Sequence, residues 1–383
     1  MNTAMTRADA QAAARPAYPS RKLIHAEMMK FVKPQTWRGV TVFAVDFAIW
    51  IAAVAGVLFL PPLWAKILCS LVAGLKISNL SSLGHEFAHG TLVRGPRLNK
   101  VLAILSFMPG LFNYRLWIYD HHVLHHAKVN GKHRDAMTPF SKAEYDALPA
   151  HRQLLERIYR APVGLGFALY EMVERWLGVK FFPRAYMSDR TRAEAWPHFI
   201  FLAVYLTLFL ALLAAAPLYS HTSSLTALIL GFAVPHYVWM ELVGFTVYVQ
   251  HTHPRIAWFD NAADRLRIEA PEIVSSHIEF PGWLKFLVHN VYDHAVHHVQ
   301  PRIPSYHLAE AQARLNALIG PVAVKEDFSI AGFADTVRRC KLYDFENHRW
   351  LDFDGHPTTD AIDVEATRAR LYPEMDMSYA LSA

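Results

Sequence analysis

The chain has 383 residues, of which 53% are hydrophobic and 19% charged, and its formal net charge is +5. This composition excludes a disordered chain, which needs low hydrophobicity and high net charge, and two cysteines in so long a chain exclude a disulfide scaffold. A nucleic-acid-binding protein would need a basic stripe and a binding motif, and the sequence shows neither.

Four apolar runs in the sequence are long enough to be membrane-spanning helices, since about 20 residues cross the hydrocarbon core of a bilayer. We predict spans at 41–60, 63–83, 199–218 and 225–249. Residues 1–40 carry seven Lys and Arg residues, whereas the connection at 217–224 carries none. By the positive-inside rule, both termini and the long central region are expected in the cytoplasm.

These elements predict an all-α integral membrane protein with four transmembrane helices and a cytoplasmic, histidine-rich cap. The expected organisation is a cytoplasmic N-terminal segment at 1–37, a membrane domain at 38–323 and a cytoplasmic C-terminal tail at 324–383. The sequence contains 22 histidines. Imidazole is both a metal ligand and a proton carrier, so clusters of histidine are candidate functional sites.

Three histidine clusters lie at the ends of the predicted spans or between them. The first is H-E-x-x-H, directly after the second span, and H-x-x-H-H occurs twice further along the chain. On a helix, residues three and four apart share one face, so the imidazoles of each cluster can converge. The candidate metal ligands are His85 and His89, then His122, His125 and His126, then His294, His297 and His298.

Eight imidazoles on three helical faces are too many for one metal ion and suit two. No cysteine lies near a cluster, which excludes thiolate ligation, and imidazole suits zinc, copper, iron and nickel. His121, the extra member of the second cluster, is expected outside the ligand set. Asp120 and Asp293 each stand beside an H-x-x-H-H pattern, where a carboxylate can accept the second ring N–H of a ligand or cap the start of a helix.

The three clusters, their order and their placement around four spans resemble those of the membrane fatty acid desaturases, a histidine-box di-iron family. The segment HNVYDHAVHHVQPRIPSYHL at 289–308 is similar to the third-box region of bacterial desaturases of acyl chains, and VQHTHP at 249–254 also resembles that group. The resemblance covers roughly residues 40–310. It implies two iron ions, molecular oxygen as co-substrate and one further histidine ligand before the third cluster, for which His251 matches best and His253 is the alternative.

The implied activity is oxygen-dependent desaturation of a fatty acyl chain, in which hydrogen is abstracted from adjacent carbons, a double bond is inserted and oxygen is reduced to water. The implied partners are the acyl substrate, linked to lipid, CoA or a carrier protein, and an external electron donor such as ferredoxin or a cytochrome with its reductase. The donor is external because two distant cysteines cannot hold an iron–sulfur cluster that needs four. The expected location is a bacterial inner membrane, with the metal site cytoplasmic, and no nucleic-acid partner is expected.

Three other functions remain open at this point. A lipid or alkyl hydroxylase or monooxygenase on the same scaffold would use the same ligands. An intramembrane zinc protease would use the H-E-x-x-H pattern, with His85 and His89 on zinc and Glu86 as general base. A non-catalytic membrane metal-binding or sensor protein would also keep the three clusters.

Ionisable groups within the spans are the last candidates. His236 and Glu241 lie in the fourth predicted span, and ionisable residues within a membrane are functional candidates by position. His236 precedes His251 by 15 residues, or roughly 22 Å along a helix. We therefore expect His236 to bond to a neighbouring helix and not to bind the same metals.

Overall fold

The computed structural model describes residues 18–126, 129–132, 135–161, 165–261, 270, 274–320 and 324–371. Most of these residues are helical. The described helices are α1 (Arg21–Met29), α2 (Thr36–Phe59), α3 (Leu63–Ala88), α4 (Pro96–Phe107), α5 (Tyr114–Ile118, continued by a π-helix at Tyr119–His125), α6 (Lys142–Ala147), α7 (Ala150–Tyr159), α8 (Leu165–Tyr170, continued by a π-helix at Glu171–Lys180), α9 (Asp189–Ala214), α10 (Ser224–Leu228, continued by a π-helix at Ile229–Ala233), α11 (Val234–His251), α12 (Gly282–Leu287), α13 (His294–Val299), α14 (Ser305–Ile319), α15 (Ile330–Arg339) and α16 (Val364–Leu371), with a short 3₁₀ turn at Ala216–Leu218. The described strands β1 (Ser276–Glu279), β2 (Val324–Asp327), β3 (Leu342–Asp344) and β4 (Arg349–Leu351) form two sheets of two strands each.

Four helices of the described part are long and apolar enough to cross a membrane. They are α2, α3, α9 and the continuous helix Ser224–His251, which comprises α10, its π-helical turn and α11 and is called the fourth span below. Each of them contains most of one predicted apolar run. The four predicted helices are therefore confirmed.

The second span, α3, is the central one. Of its most apolar stretch 56% is buried within the protein, against 11% for α9, which lies at the outside. Two glycines permit close packing: a Cβ at Gly74 would lie 2.8 Å from the carbonyl oxygen of Pro235, and a Cβ at Gly84 would lie 2.5 Å from the ring of Phe107. Helix α3 is thus closely surrounded where its last turns carry the first histidine cluster.

Charged groups inside the first two spans are paired. Asp46 of α2 accepts from Lys76 of α3 at 2.6 Å and from the ring of His289 at 2.5 Å. Lys66, near the other end of α3, donates to the hydroxyl of Thr222. The charges of Asp46 and Lys76 therefore compensate each other, and Lys66 has a hydrogen-bond acceptor.

The ionisable groups of the fourth span are hydrogen-bonded outside the histidine clusters. Nδ1 of His236 donates to the carbonyl of Phe232 at 2.8 Å, four residues earlier in the same span. This nitrogen therefore does not make the expected bond to a neighbouring helix. The carboxylate of Glu241 accepts the backbone N–H of Ala168 at 2.8 Å and so ties α8 to the fourth span.

Both ends of the described chain pack onto the rest of the protein. Helix α1 contributes Ile24 and Met28 to a core that it shares with α13 and α14. Strand β2 pairs in parallel with β1. The β3–β4 hairpin carries Tyr343 and Trp350, which pack with Trp258. The described part of the predicted C-terminal tail is therefore folded onto the preceding residues.

Candidate metal centre

The first histidine cluster ends the central span. His85 lies in the last turn of α3, and His89 is the C-terminal cap of the same helix. Their ring centroids are 4.8 Å apart, as residues i and i+4 of a helix permit. Helix α3 therefore presents both imidazoles together at one end of the span.

The second cluster lies on a π-helix and not on the α-helix that the H-x-x-H-H spacing predicts. The N–H of His126 bonds to the carbonyl of His121, five residues earlier, at the end of the segment Tyr119–His125. His121 and His126 consequently lie on one face, with their Nε2 atoms 3.0 Å apart. His125 faces elsewhere, with its Nε2 3.2 Å from that of His298.

The π-helical backbone places His121 and His122 differently from the α-helix that the spacing predicts. His121, expected outside the ligand set, faces His126, because bonding from i to i+5 brings residues five apart into line. His122, expected as a ligand, does not face His126. Its ring centroid lies 4.3 Å from that of His89. The Nε2 atom of His122 is buried and has no hydrogen-bond partner among the described residues.

The third cluster lies on the short helix α13, where its three histidines are buried. The Nε2 atoms of His294 and His298, at i and i+4, are 2.8 Å apart. His297 faces elsewhere, with its Nε2 3.1 Å from that of His126. His251, the last residue of the fourth span, has its Nε2 2.9 Å from that of His294.

His253, the alternative to His251, lies apart from these rings. Its Nδ1 accepts the backbone N–H of Arg255 at 3.1 Å, and its Nε2 is 3.4 Å from a carboxylate oxygen of Glu326. Of the two candidates, the structure brings His251 to the other histidines.

The histidines form two groups, within each of which one ring nitrogen per residue lies within 4.8 Å of the others. The first histidine group consists of His85, His89, His121, His126 and His297, and the second histidine group of His125, His251, His294 and His298. The second and third clusters each contribute to both groups. The two groups are therefore held side by side by the same two helical segments.

The donor atoms of both groups fit metal ions. Burial lowers the pKa of His294 and His298 well below the usual value, and neighbouring histidines lower it further. The same causes lower the pKa of His89 in the first group. These rings are therefore neutral at pH 7 and carry a free lone pair. Two nitrogens bound at right angles to one metal, with bonds of about 2.1 Å, lie about 3.0 Å apart, and the observed Nε2–Nε2 distances run from 2.8 to 3.2 Å.

Each group has a buried carboxylate beside it. Asp135 accepts the Nδ1–H of His125 at 2.6 Å. Glu86 accepts the Nδ1–H of His85 at 3.0 Å and the hydroxyl of Thr91 at 3.0 Å. Such partners fix the tautomer and orientation of a ligating imidazole and raise its basicity. Glu86, the general base of the protease alternative, is thus placed as the orienting partner of a histidine.

The two carboxylates that the sequence singles out line the same cavity as the histidines but are paired with cations. Asp120 pairs with Arg175 at 2.6 Å, and Asp293 pairs with Lys285 at 2.7 Å. Among the described residues, neither carboxylate is hydrogen-bonded to a histidine of the two groups, and Asp293 does not cap α13 with its side chain. Sequence reasoning misses Asp135, which follows the second cluster outside any periodic pattern and so gives no spacing signal.

A cavity of about 150 Å³ lies beside both groups. Six of the grouped histidines line it, namely His85, His121, His125, His251, His294 and His297. Its apolar lining includes Leu242, Val243 and Val247 of the fourth span and Val288 and Val291 from the segment before α13. An apolar ligand in this cavity could contact residues of both groups.

Comparison with known proteins identifies the family. The model of the fatty acid desaturase family matches residues 61–327. The chain is 26% identical over 316 residues to the chloroplastic omega-6 fatty acid desaturase of Spinacia oleracea. The matched region covers 81% of this chain and 66% of the relative. It is also 26% identical over 298 residues to the sn-1 oleoyl-lipid 12-desaturase of Synechocystis sp., covering 76% of this chain and 80% of the relative.

The chain therefore belongs to the fatty acid desaturase family, a family of oxidoreductases, and the resemblance drawn from the three clusters is confirmed. A further relative is the temperature-sensitive sn-2 acyl-lipid omega-3 desaturase (ferredoxin) of Arabidopsis thaliana chloroplasts. It is 23% identical over 251 residues, covering 62% of this chain and 53% of the relative.

Proposed function

We propose that the protein is an oxygen-dependent fatty acyl desaturase with two iron ions, one in each histidine group. The observation that carries the proposal is the pair of adjacent imidazole groups beside a cavity with an apolar lining. Bound iron would supply, with O2, the oxidation of unactivated C–H bonds, which side-chain acids and bases cannot perform. For each double bond, two substrate hydrogens, two electrons and two protons reduce one O2 to two waters.

The protein's own part would be to hold both ions next to the same stretch of substrate. His125 and His126 are neighbours in the chain but belong to different groups, and so are His297 and His298. Any movement of either helical segment would therefore affect both groups. Asp135 and Glu86 would orient one ligand in each group through the hydrogen bonds described above.

The cavity lining supports an acyl chain as the substrate. Leu242, Val243 and Val247 would remove methylene groups from water, which favours binding by about 0.8 kcal/mol for each buried CH2. His85 and His125 line the same cavity, one from each group. The name of the Synechocystis relative, an oleoyl-lipid desaturase, supports a membrane lipid as the carrier of the chain.

The electrons would come from a separate protein. One relative carries ferredoxin in its name, which supports an electron carrier of that class or a cytochrome with its reductase. The Lys and Arg residues of segment 1–40 support a cytoplasmic location of the metal centre and of both termini. The membrane we propose is the inner membrane of a bacterium.

The test is lipid profiling in a host with a compatible reductase chain. Total fatty acids are analysed by mass spectrometry with localisation of double bonds, for the unaltered protein and for His297→Ala. We expect a new unsaturated species that is absent with the variant, because His297 belongs to the first group and contacts His126 of the second cluster. The iron content of the purified protein is measured in parallel.

A hydroxylated main product would instead show that the protein is a hydroxylase or monooxygenase that uses the same site. Purified protein that holds zinc and no iron, with proteolysis lost in Glu86→Gln, would support the protease. Iron-loaded protein that consumes no oxygen with any lipid and a competent reductase would support a metal-binding or sensor protein.

A further inference from the structure

Helix α13 carries three of the proposed ligands but is only six residues long. A helix this short is not stable by itself, because each end leaves backbone groups without partners. The residue before it, Asp293, is of a type that commonly caps a helix start, yet its side chain makes no capping bond. The first turn of α13 therefore depends on partners from other elements.

Gln312 supplies the missing acceptor from helix α14. Its Oε1 accepts the backbone N–H of Val296 at 2.8 Å, and the side chain is buried. Val296 is the third residue of α13, a position whose N–H is ordinarily satisfied by the cap residue of the helix itself. It also lies between His294 and His297, so this bond holds the middle of the third cluster.

A chain of hydrogen bonds determines the orientation of the Gln312 amide. The backbone N–H of Val296 can only donate, so Oε1 faces it, and Nε2 donates to Oδ1 of Asn316 at 2.9 Å. Nδ2 of Asn316 then donates to Nδ1 of His277 at 2.9 Å. A neutral His277 ring consequently carries its proton on Nε2, which lies 3.3 Å from Oδ1 of Asp293.

The chain of contacts returns in this way to the start of the same helix. Asp293 is fully buried, and its Oδ1 accepts from the ammonium group of Lys285 at 2.7 Å. Because Gln312 provides the cap, the Asp293 carboxylate is available for this ion pair. Helix α13 is thus held at the residue before it by Lys285 and at its third residue by Gln312.

We propose that Gln312 is a positioning residue of the metal centre. As an N-cap acceptor supplied from another helix, it holds α13 in the orientation that directs His294 and His298 into the second group and His297 into the first. What the histidines bind rests on the proposed function, whereas the capping role does not. Without the acceptor, a buried N–H in the first turn has no partner, so the turn opens more often and all three imidazoles leave their places together.

The test compares two substitutions in the full-length protein in detergent. Gln312→Leu removes the acceptor at similar size, and Gln312→Glu retains one. We expect Gln312→Leu to lose iron to a chelator roughly 10-fold faster than the unaltered protein, within the range known for outer partners of metal ligands. Gln312→Glu keeps the acceptor but lacks the N–H that binds Oδ1 of Asn316, so its rate should lie between the other two. Gln153→Leu on α7 is the matched control.

A second readout needs neither iron nor turnover. In metal-free protein, amide hydrogen exchange followed by mass spectrometry should be faster at 294–299 for Gln312→Leu and unchanged there for the Gln153→Leu control. Unchanged exchange at 294–299 together with an unchanged rate of iron loss would overturn the proposal. Exchange that is faster throughout the molecule, α3 included, would also overturn it, because that result reports lost stability and not lost position.

Two further outcomes keep the proposals separable. If the unaltered protein binds no iron, the proposed function fails, while the exchange of metal-free protein still decides the role of Gln312. If Gln312→Leu does not fold, Gln312→Met replaces it, since it also removes the amide acceptor and has an unbranched side chain of similar length. Faster exchange at 294–299 in Gln312→Met supports the proposal, and unchanged exchange there overturns it.

Discussion

The two histidine groups differ in how deeply they lie in the protein. All four residues of the second group are buried, whereas four of the five residues of the first group are only partly buried. Their carboxylates differ as well: Glu86 belongs to the first histidine cluster itself, while Asp135 comes from the segment after the second cluster. The first group is therefore the more open site and the second the more enclosed one, and both form only when distant segments meet.

This difference bears on how each site would gain and lose metal. Solvent and chelators reach partly buried imidazoles more easily than buried ones, so iron should leave the first group faster. The enclosed second group should respond more strongly to changes in packing.

Removing a ligand from either group should have the largest effect. His89→Ala in the first group and His294→Ala in the second should each abolish desaturation, beyond the roughly 10–100-fold loss typical of an outer hydrogen bond. Each variant should retain the ion of the untouched group. Metal analysis of the purified protein and gas chromatography of the products measure the two effects.

His236→Ala is the control for these substitutions, because this ring packs against Phe232 and Trp239 within the fourth span and should leave iron content intact. Complete loss of iron in either ligand variant would show that the two groups do not fill independently.

The pair His121→Ala and His122→Ala tests the register of the second cluster. In the π-helix, Nε2 of His121 faces Nε2 of His126 at 3.0 Å, so we expect His121→Ala to lose the iron of the first group and His122→Ala to keep it. Iron per chain is again the measurement. The reverse result would place the cluster in the α-helical register that the H-x-x-H-H spacing predicts.

Substituting the carboxylates should weaken the two groups separately. Asp135→Asn and Glu86→Gln keep the shape of the side chain but remove the charge that orients a ligand, and we expect roughly 10–100-fold weaker iron binding by the group concerned. Competition with a chelator of known affinity measures this effect. Asp146→Asn, in an exposed ion pair with Lys142, is the control. If Glu86→Gln keeps its iron but loses turnover, the result would favour Glu86 as a general base and not as the orienting partner of His85.

Acid should have the smallest effect, a gradual destabilisation of the metal-free protein. Burial lowers the pKa of His297 and His298 well below the usual value in the folded state, whereas unfolded imidazoles titrate at about 6.5. As the pH falls through about 6.5, the unfolded state takes up protons that the folded state does not, so the free energy of unfolding decreases.

Thermal unfolding in detergent measures this change. The midpoint of the metal-free protein should be lower at about pH 5.5 than at about pH 7.5, and the shift should be smaller in His297→Ala, which lacks one of the titrating groups. An equal midpoint at the two pH values would contradict buried, neutral imidazoles.

The spans and the histidine clusters could be predicted because both depend on local pattern. An apolar run of about 20 residues is long enough to cross a bilayer whatever its neighbours are. The spacing of His85 and His89, or of His294 and His298, brings two rings to one face of any α-helix. His251 could be found from its place at the end of the fourth apolar run and from similarity to the family.

The sequence by itself determined which three clusters could supply ligands, but the tertiary structure decided which histidines face one another and how they are divided between two groups. Successive residues of an α-helix point about 100° apart, so His297 and His298 necessarily face different ways. Which partner each one meets depends on helices far away in the chain, and the π-helical register of the second cluster depends on backbone bonding that no spacing reveals. Asp135 and Gln312 reach the ligands through contacts of the same non-local kind. A periodic pattern in the sequence shows which residues share one face of a helix. The contacts of Asp135 and Gln312 exist only after separate elements have packed together.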